Sequence, residues 1–147
     1  MTTLRTLVAA HDFSKVAHQA LAWTRGVALQ TGAEVVVVHA YSPLEALGTR
    51  EPPLDLEALR DETEARLRDE WCADLAAAEV TFRSRLVEDL PVPGIVSVAD
   101  EVDADLIVCG TRGLGGVKGL VLGSVARELP RVAQRAVAII PPRDRPG

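Results

Sequence analysis

Four valines in succession, Val35 to Val38, constrain the fold of this chain more than any other feature of it. Successive side chains of a β-strand point to opposite faces, so a run that is apolar at every position must bury both faces. Such a strand belongs in the middle of a sheet covered by helices on each side, and the sequence predicts it over Ala33 to Ala40.

The flanking segments supply the rest of such a fold. Leu4 to Ala10 is an apolar run of strand length, followed by a polar turn at His11-Asp12-Phe13-Ser14. Val16, Ala20, Trp23 and Val27 then mark one face of a helix that Thr31-Gly32 stops. Tyr41 to Asp55 holds three prolines and a glycine and reads as loop. Leu56 to Leu75 reads as one long helix with acidic residues near its start, where negative charge suits the helix dipole. Val80 to Glu88 alternates and predicts an exposed edge strand with an irregularity near Ser84. Pro91 opens a short helix, Ala104 to Cys109 is a buried strand, a helix follows Ser124, and Ala136 to Ile140 is the last strand. Alternation of strand and helix in this way implies an α/β fold with parallel strands and right-handed crossovers. Ligands of such open sheets sit beyond the carboxyl ends of the strands where the winding reverses, here between the strands ending at Ala10 and Cys109.

A chain of 147 residues suits one domain, expected over residues 1–142 with a flexible tail at 143–147. The net charge of −5 and only five aromatic residues argue against a nucleic-acid binder. No apolar run approaches the ~20 residues that span a bilayer, so no membrane association is expected. The N-terminus enters a strand directly, without the regions of a signal peptide, and Cys72 and Cys109 fit no zinc or redox spacing. A cytoplasmic location with reduced thiols is the expectation.

The chemistry concentrates in Gly110 to Ser124, which leaves a strand and delivers the chain to a helix N-terminus. Backbone N–H groups there lack partners within the helix and the dipole adds a positive field, so an anion such as phosphate is bound readily. The spacing is Gly-x2-Gly-x9-Gly-Ser, from Gly110, Gly113 and Gly123-Ser124. It is neither a P-loop, since Gly119 follows Lys118, nor the dinucleotide fingerprint, whose third glycine is replaced by Lys118. Gly115, Gly116 and Gly119 read as giving the loop mobility. Ser124 reads as a helix cap, a phosphate donor, or both. Arg112 and Lys118 either add charge to the site or are solvated loop residues. Asp12 is either a turn or cap residue or a carboxylate for the nucleoside end of a ligand, away from the phosphates it would repel. His11, His39 and Cys109 all fall near carboxyl ends of strands, but their spacing matches no metal-ligand pattern, and Cys109 reads as a small buried hydrophobe. No convincing catalytic nucleophile or general base is present in the sequence.

These residues carry a resemblance over nearly the whole chain. Leu7 to Ser14, Val36-Val37-Val38-His39-Ala40, Ala104 to Gly113 and Leu122-Gly123-Ser124-Val125-Ala126 resemble the universal stress protein family in its ATP-binding branch. The resemblance implies an adenine nucleotide alpha hydrolase-like sheet of five parallel strands in the order 3-2-1-4-5. It implies ATP, with or without Mg²⁺, its adenine and ribose near Ala10, Asp12 and Ala40. Gly110, Arg112 and Gly113 would line the ribose and phosphate side, and Gly123, Ser124 and Val125 would hold the phosphates. It further implies a homodimer through the last strand, Ala136 to Ile140, although the Pro-containing step that usually opens that strand is absent at Arg135-Ala136. Three functions stand beside one another at this point. They are a nucleotide-dependent regulatory or stress-response module, a slow ATPase or phosphotransferase using the same pocket, and a partner-binding protein with no nucleotide.

Overall fold

The computed structural model describes residues 3–43, 51, 55–113 and 122–143. Strands β1 (Thr6–Ala10), β2 (Glu34–Tyr41), β3 (Phe82–Glu88), β4 (Leu106–Gly110) and β5 (Ala136–Ile140) form one sheet in the order β3-β2-β1-β4-β5, all pairs parallel. The helices are α1 (Lys15–Thr31), α2 (Leu56–Ala65), α3 (Ala73–Ala77), α4 (Pro91–Glu101) and α5 (Ser124–Val132), with a π-helical segment, Arg66–Trp71, between α2 and α3. The winding reverses between β1 and β4, as the strand alternation requires.

The valine run behaves as its pattern demands. Val35 and Val37 pack with Leu7, Leu21, Leu67 and Leu75 on the face covered by α1 and the α2–α3 region. Val36 and Val38 pack with Val8, Ile95, Ile107 and Leu129 on the opposite face, under α4 and α5. All four valines are at most 1% exposed, each contributing roughly 1.5–3 kcal/mol of burial.

Local chemistry sets the helix ends. Ser14 Oγ accepts from Ala17 N–H at 3.1 Å to start α1, and Gly32, in the left-handed region at φ 74°, ends it with an N–H bond to Ala28 O. Asp55 caps α2 by accepting from Ala58 N–H at 3.0 Å. Asp105, just before β4, accepts from the N–H groups of Arg5 and Thr6 and so ties the start of β1 to the neighbouring strand. These bonds hold the Asp105 carboxyl below the usual carboxylate range.

Three expectations are corrected. The buried stripe of α1 is Ala17, Ala20, Leu21, Thr24 and Ala28, whereas Val16, Trp23 and Val27 are half-buried. Small alanines face the sheet because α1 lies close to it. Gly110 shows how close: a Cβ there would meet Val16 Cγ1 at 2.7 Å. Residues 56–75 do not form one helix. The ladder shifts to π geometry, ending in Cys72 N–H to Leu67 O at 3.1 Å. The edge strand β3 has no irregularity at Ser84, since its register with β2 runs unbroken from Val35↔Phe82 to Tyr41↔Glu88.

Candidate functional site

At the carboxyl ends of β1 and β4 lies a cleft of about 390 Å³. All nine residues singled out for ligand contact line it: Ala10, Asp12, Ala40, Gly110, Arg112, Gly113, Gly123, Ser124 and Val125. Fold geometry brings them together from four segments, at the ends of β1, β2 and β4 and at the start of α5. Lys118 and the glycines at 115, 116 and 119 lie outside the described residues.

The β1 side is a tight elbow. His11 N–H donates to Val38 O at 2.8 Å, which keeps the chain against β2 for one residue beyond the strand. Asp12 Oδ1 then accepts from Ser14 N–H at 3.0 Å, an Asx turn, and Phe13 takes φ 66°. Asp12 is therefore a turn residue, and its position in the cleft wall leaves the ligand-facing role compatible with that. Beneath the elbow sits an aromatic cluster. Phe13 stacks on His39 with centroids 4.1 Å apart, Trp71 lies 4.9 Å from His11, and the Arg66 guanidinium lies 4.5 Å from the Phe13 centroid. The π segment, with Arg66 and Trp71 at its two ends, carries both of those residues to this place.

His11 is 3% exposed and its Nδ1 accepts from Phe13 N–H at 3.0 Å, so the ring is neutral with its proton on Nε2. Burial, reinforced by the neighbouring His18, pushes its pKa down to about 4, against the opposing pull of Asp12. His11 Nε2, His18 Nδ1 and Trp71 Nε1 are buried without a hydrogen-bond partner among the described residues, so a protonated ring would gain no acceptor there. His39 is likewise lowered by burial. Among the described residues no group of three or more His, Cys, Asp or Glu side chains is placed to hold a metal ion. Cys109 is 3% exposed in the cleft floor, and burial pushes its thiol up to about 11, away from reactivity.

The opposite side is the N-terminus of α5. The expected cap is corrected here: Gly123, not Ser124, occupies the N-cap and no side chain caps the helix. Ser124 is the first helical residue and is exposed. The helical ladder begins with Arg127 N–H to Gly123 O at 3.1 Å, so the amides of Ser124, Val125 and Ala126 have no acceptor within the helix. Gly123 differs, because its N–H donates to Thr111 O at 2.6 Å, and a Cβ there would be in ordinary contact with Arg112 and Thr111. Gly110 also has a packing reason for lacking a side chain, its contact with Val16. Gly113 is placed differently again, since a Cβ there would overlap Asp12 Oδ2.

Arg127 also lines the cleft and was not foreseen. Its signal was its place three residues after Ser124, one helical turn along and therefore on the same face. The cleft thus combines an apolar lining of Ala10, Val38, Ala40 and Ile95 with the Asp12 carboxylate and a helix N-terminus accompanied by Arg112 and Arg127. Apolar walls of this kind suit a flat apolar group, and helix N-terminal amides suit an anion.

The model of the Universal stress protein family matches residues 3–141. A universal stress protein of Thermus aquaticus is 34% identical over 137 residues, spanning 92% of this chain and 98% of that one. Some relatives are longer: the chain spans 42% of a Mycobacterium tuberculosis universal stress protein that is 30% identical to it. Among solved structures, a universal stress protein from Archaeoglobus fulgidus in complex with dAMP superposes with a TM-score of 0.66 at 27% identity, covering 95% of this chain and 99% of that one. A universal stress protein in complex with cAMP superposes at 0.63 with 28% identity, covering 95% and 98%.

Proposed function

This chain belongs to the universal stress protein family, and we propose that it acts there as a nucleotide-dependent regulatory module that binds ATP, with or without Mg²⁺. The observation that carries the reading is a single cleft that brings together apolar walls, the Asp12 carboxylate and the start of α5. Adenine would lie along Ala10, Val38, Ala40 and Ile95, and Asp12 would accept from the nucleoside. The phosphates would meet the amides of Ser124 and Val125, Ser124 Oγ, and the cations Arg112 and Arg127. Gly113 would leave the Asp12 carboxylate its place in the cleft wall, and Gly110 and Gly123 would line the passage by backbone alone. The dAMP and cAMP found in two related structures support an adenine nucleotide as the ligand class.

The residues fit a nucleotide on the protein's side, since a carboxylate and helix amides with no acceptor within the helix line one cleft. The chain's own part in that chemistry is binding and orientation. A homodimer through β5 belongs to the same proposal. Among the described residues β5 pairs with β4 alone, and its apolar Val137, Ile139 and Ile140 are only half-buried. Among the described residues no helix is long and apolar enough to cross a membrane, and action in the cytoplasm is part of the reading.

Calorimetric titration of the purified protein with ATP tests it. One ATP bound per chain is expected, together with a melting temperature that rises with ATP concentration by mass action on the native state. A flat titration, with no adenine nucleotide released on denaturing the protein, would refute it.

A further inference from the structure

The three histidines of this chain, at positions 11, 18 and 39, meet at one place, behind the wall that carries Asp12. Only one of them makes a bond to the main chain of the elbow from another strand. His39, on β2, places Nδ1 2.7 Å from His11 O. A carbonyl can only accept, so the imidazole donates there and carries its proton on Nδ1. The same ring stacks on Phe13, tilted by 27°. His39 therefore touches the residues on both sides of Asp12, one through its carbonyl and the other through its ring.

What it braces is a strained piece of chain. Phe13 is a bulky residue at φ 66°, a region that non-glycine residues occupy only when their surroundings hold them there. The bonds from Phe13 N–H to His11 Nδ1 and from Ser14 N–H to Asp12 Oδ1 close the turn from within. The bond from His39 closes it from the sheet. The result is an Asp12 carboxylate held against Gly113.

We propose that His39 is a positioning residue for nucleotide binding: its Nδ1–H bond to His11 O and its stack on Phe13 fix the elbow that holds Asp12 against Gly113 in the cleft wall. The proposal rests on the adenine-nucleotide reading for its consequence in affinity, but its structural half does not. His39 is absent from the cleft lining, so any effect on a ligand must pass through the elbow.

Two variants separate the parts. His39→Phe keeps a ring against Phe13 and removes the donor, and His39→Asn restores a nitrogen donor near the place of Nδ1. Hydrogen exchange followed by NMR reads the elbow without any ligand. The Phe13 and Ser14 amides should exchange about tenfold faster in His39→Phe, return toward the parent in His39→Asn, and leave the α4 amides unchanged. Titration with AMP reads the consequence: affinity should fall about tenfold in His39→Phe and recover in His39→Asn. In an Asp12→Asn background the His39→Phe loss should vanish, since the two residues act in series. Should His39→Phe fail to fold, His39→Met takes its place with the same readings.

Unchanged exchange at Phe13 and Ser14 would overturn the proposal whatever the affinities. So would an AMP loss that is as large in the Asp12→Asn background as in the parent. If the parent binds neither AMP nor ATP, the nucleotide reading falls, and the exchange experiment alone decides whether His39 holds the elbow; a parent that binds ATP and not AMP is titrated with ATP instead.

Discussion

Gly113 and the Asp12 carboxylate face each other so closely that the space for a Cβ on one is filled by Oδ2 of the other. Any side chain at 113 must therefore displace Asp12. Gly113→Val should weaken ATP binding by about 100-fold or more, by calorimetry, because both the carboxylate and the passage beside it are lost. Since Gly113 is exposed, the urea midpoint should change little. Parental affinity in this variant would remove Asp12 and Gly113 from the site.

Ser124 offers a test that separates capping from ligand contact. Gly123 is the N-cap and Ser124 makes no capping bond, so Ser124→Ala should shift stability by no more than ~0.5 kcal/mol in chemical denaturation. A capping serine would cost ~1 kcal/mol. The same variant should lose several-fold in ATP affinity while binding adenosine as the parent does.

Arg127, one turn further along the same face, should act on charge alone. Arg127→Ala should weaken ATP binding about three- to tenfold at low salt, less at high salt, and leave adenosine unaffected. Isothermal titration at two ionic strengths checks it.

Gly110 belongs to packing. A methyl group there would press on Val16 Cγ1 and on the Val16 main chain, so Gly110→Ala should destabilise the protein by ~1–3 kcal/mol in urea unfolding. Val16→Ala in the same chain should recover part of the loss. A Gly110→Ala variant as stable as the parent would show that α1 does not sit as close to β4 as described.

His11 makes stability depend on pH. Its folded pKa of about 4 lies below the ordinary 6.5, because burial and then His18 disfavour the cation, with His39 and Arg66 adding to this and Asp12 opposing it. Between these values the unfolded chain takes up a proton that the folded chain refuses, so stability falls as pH drops from 6.5 to about 4 and levels off below. The whole effect amounts to ~3 kcal/mol. His39 adds to it with the same sign. His11→Asn, which keeps an acceptor for Phe13 N–H, should flatten the profile of melting temperature against pH.

The sheet and its covering helices were legible because burial on two faces leaves a mark on every residue, as in Val35 to Val38. The meeting of the cleft residues was legible for a related reason: strand ends and a glycine-spaced loop fix where the chain turns. Other features left no such mark. The stripe of α1 was misplaced by one residue because periodicity favours valine and tryptophan, while close approach to the sheet favours the alanines beside them. The π segment depends on one extra residue in a turn, which the apolar spacing of residues 56–75 does not reveal. Ser124 and Gly123 compete for one cap, and serine is the usual winner. Here the bond from Gly123 N–H to Thr111 O sets the first residue of α5 instead. The His39 brace was hidden because it joins residues 28 positions apart through a main-chain carbonyl.

Thr111 receives that bond on its oxygen and gives its own N–H to Ile140 O, 3.2 Å away at the end of β5. One peptide neighbourhood thus couples the sheet's outer margin to the turn that faces the cleft. A molecule that tightens the start of α5 would, through these two bonds, also steady the end of β5. Slowed deuterium uptake at Thr111 on adding nucleotide would be the first sign that occupancy is felt at the edge.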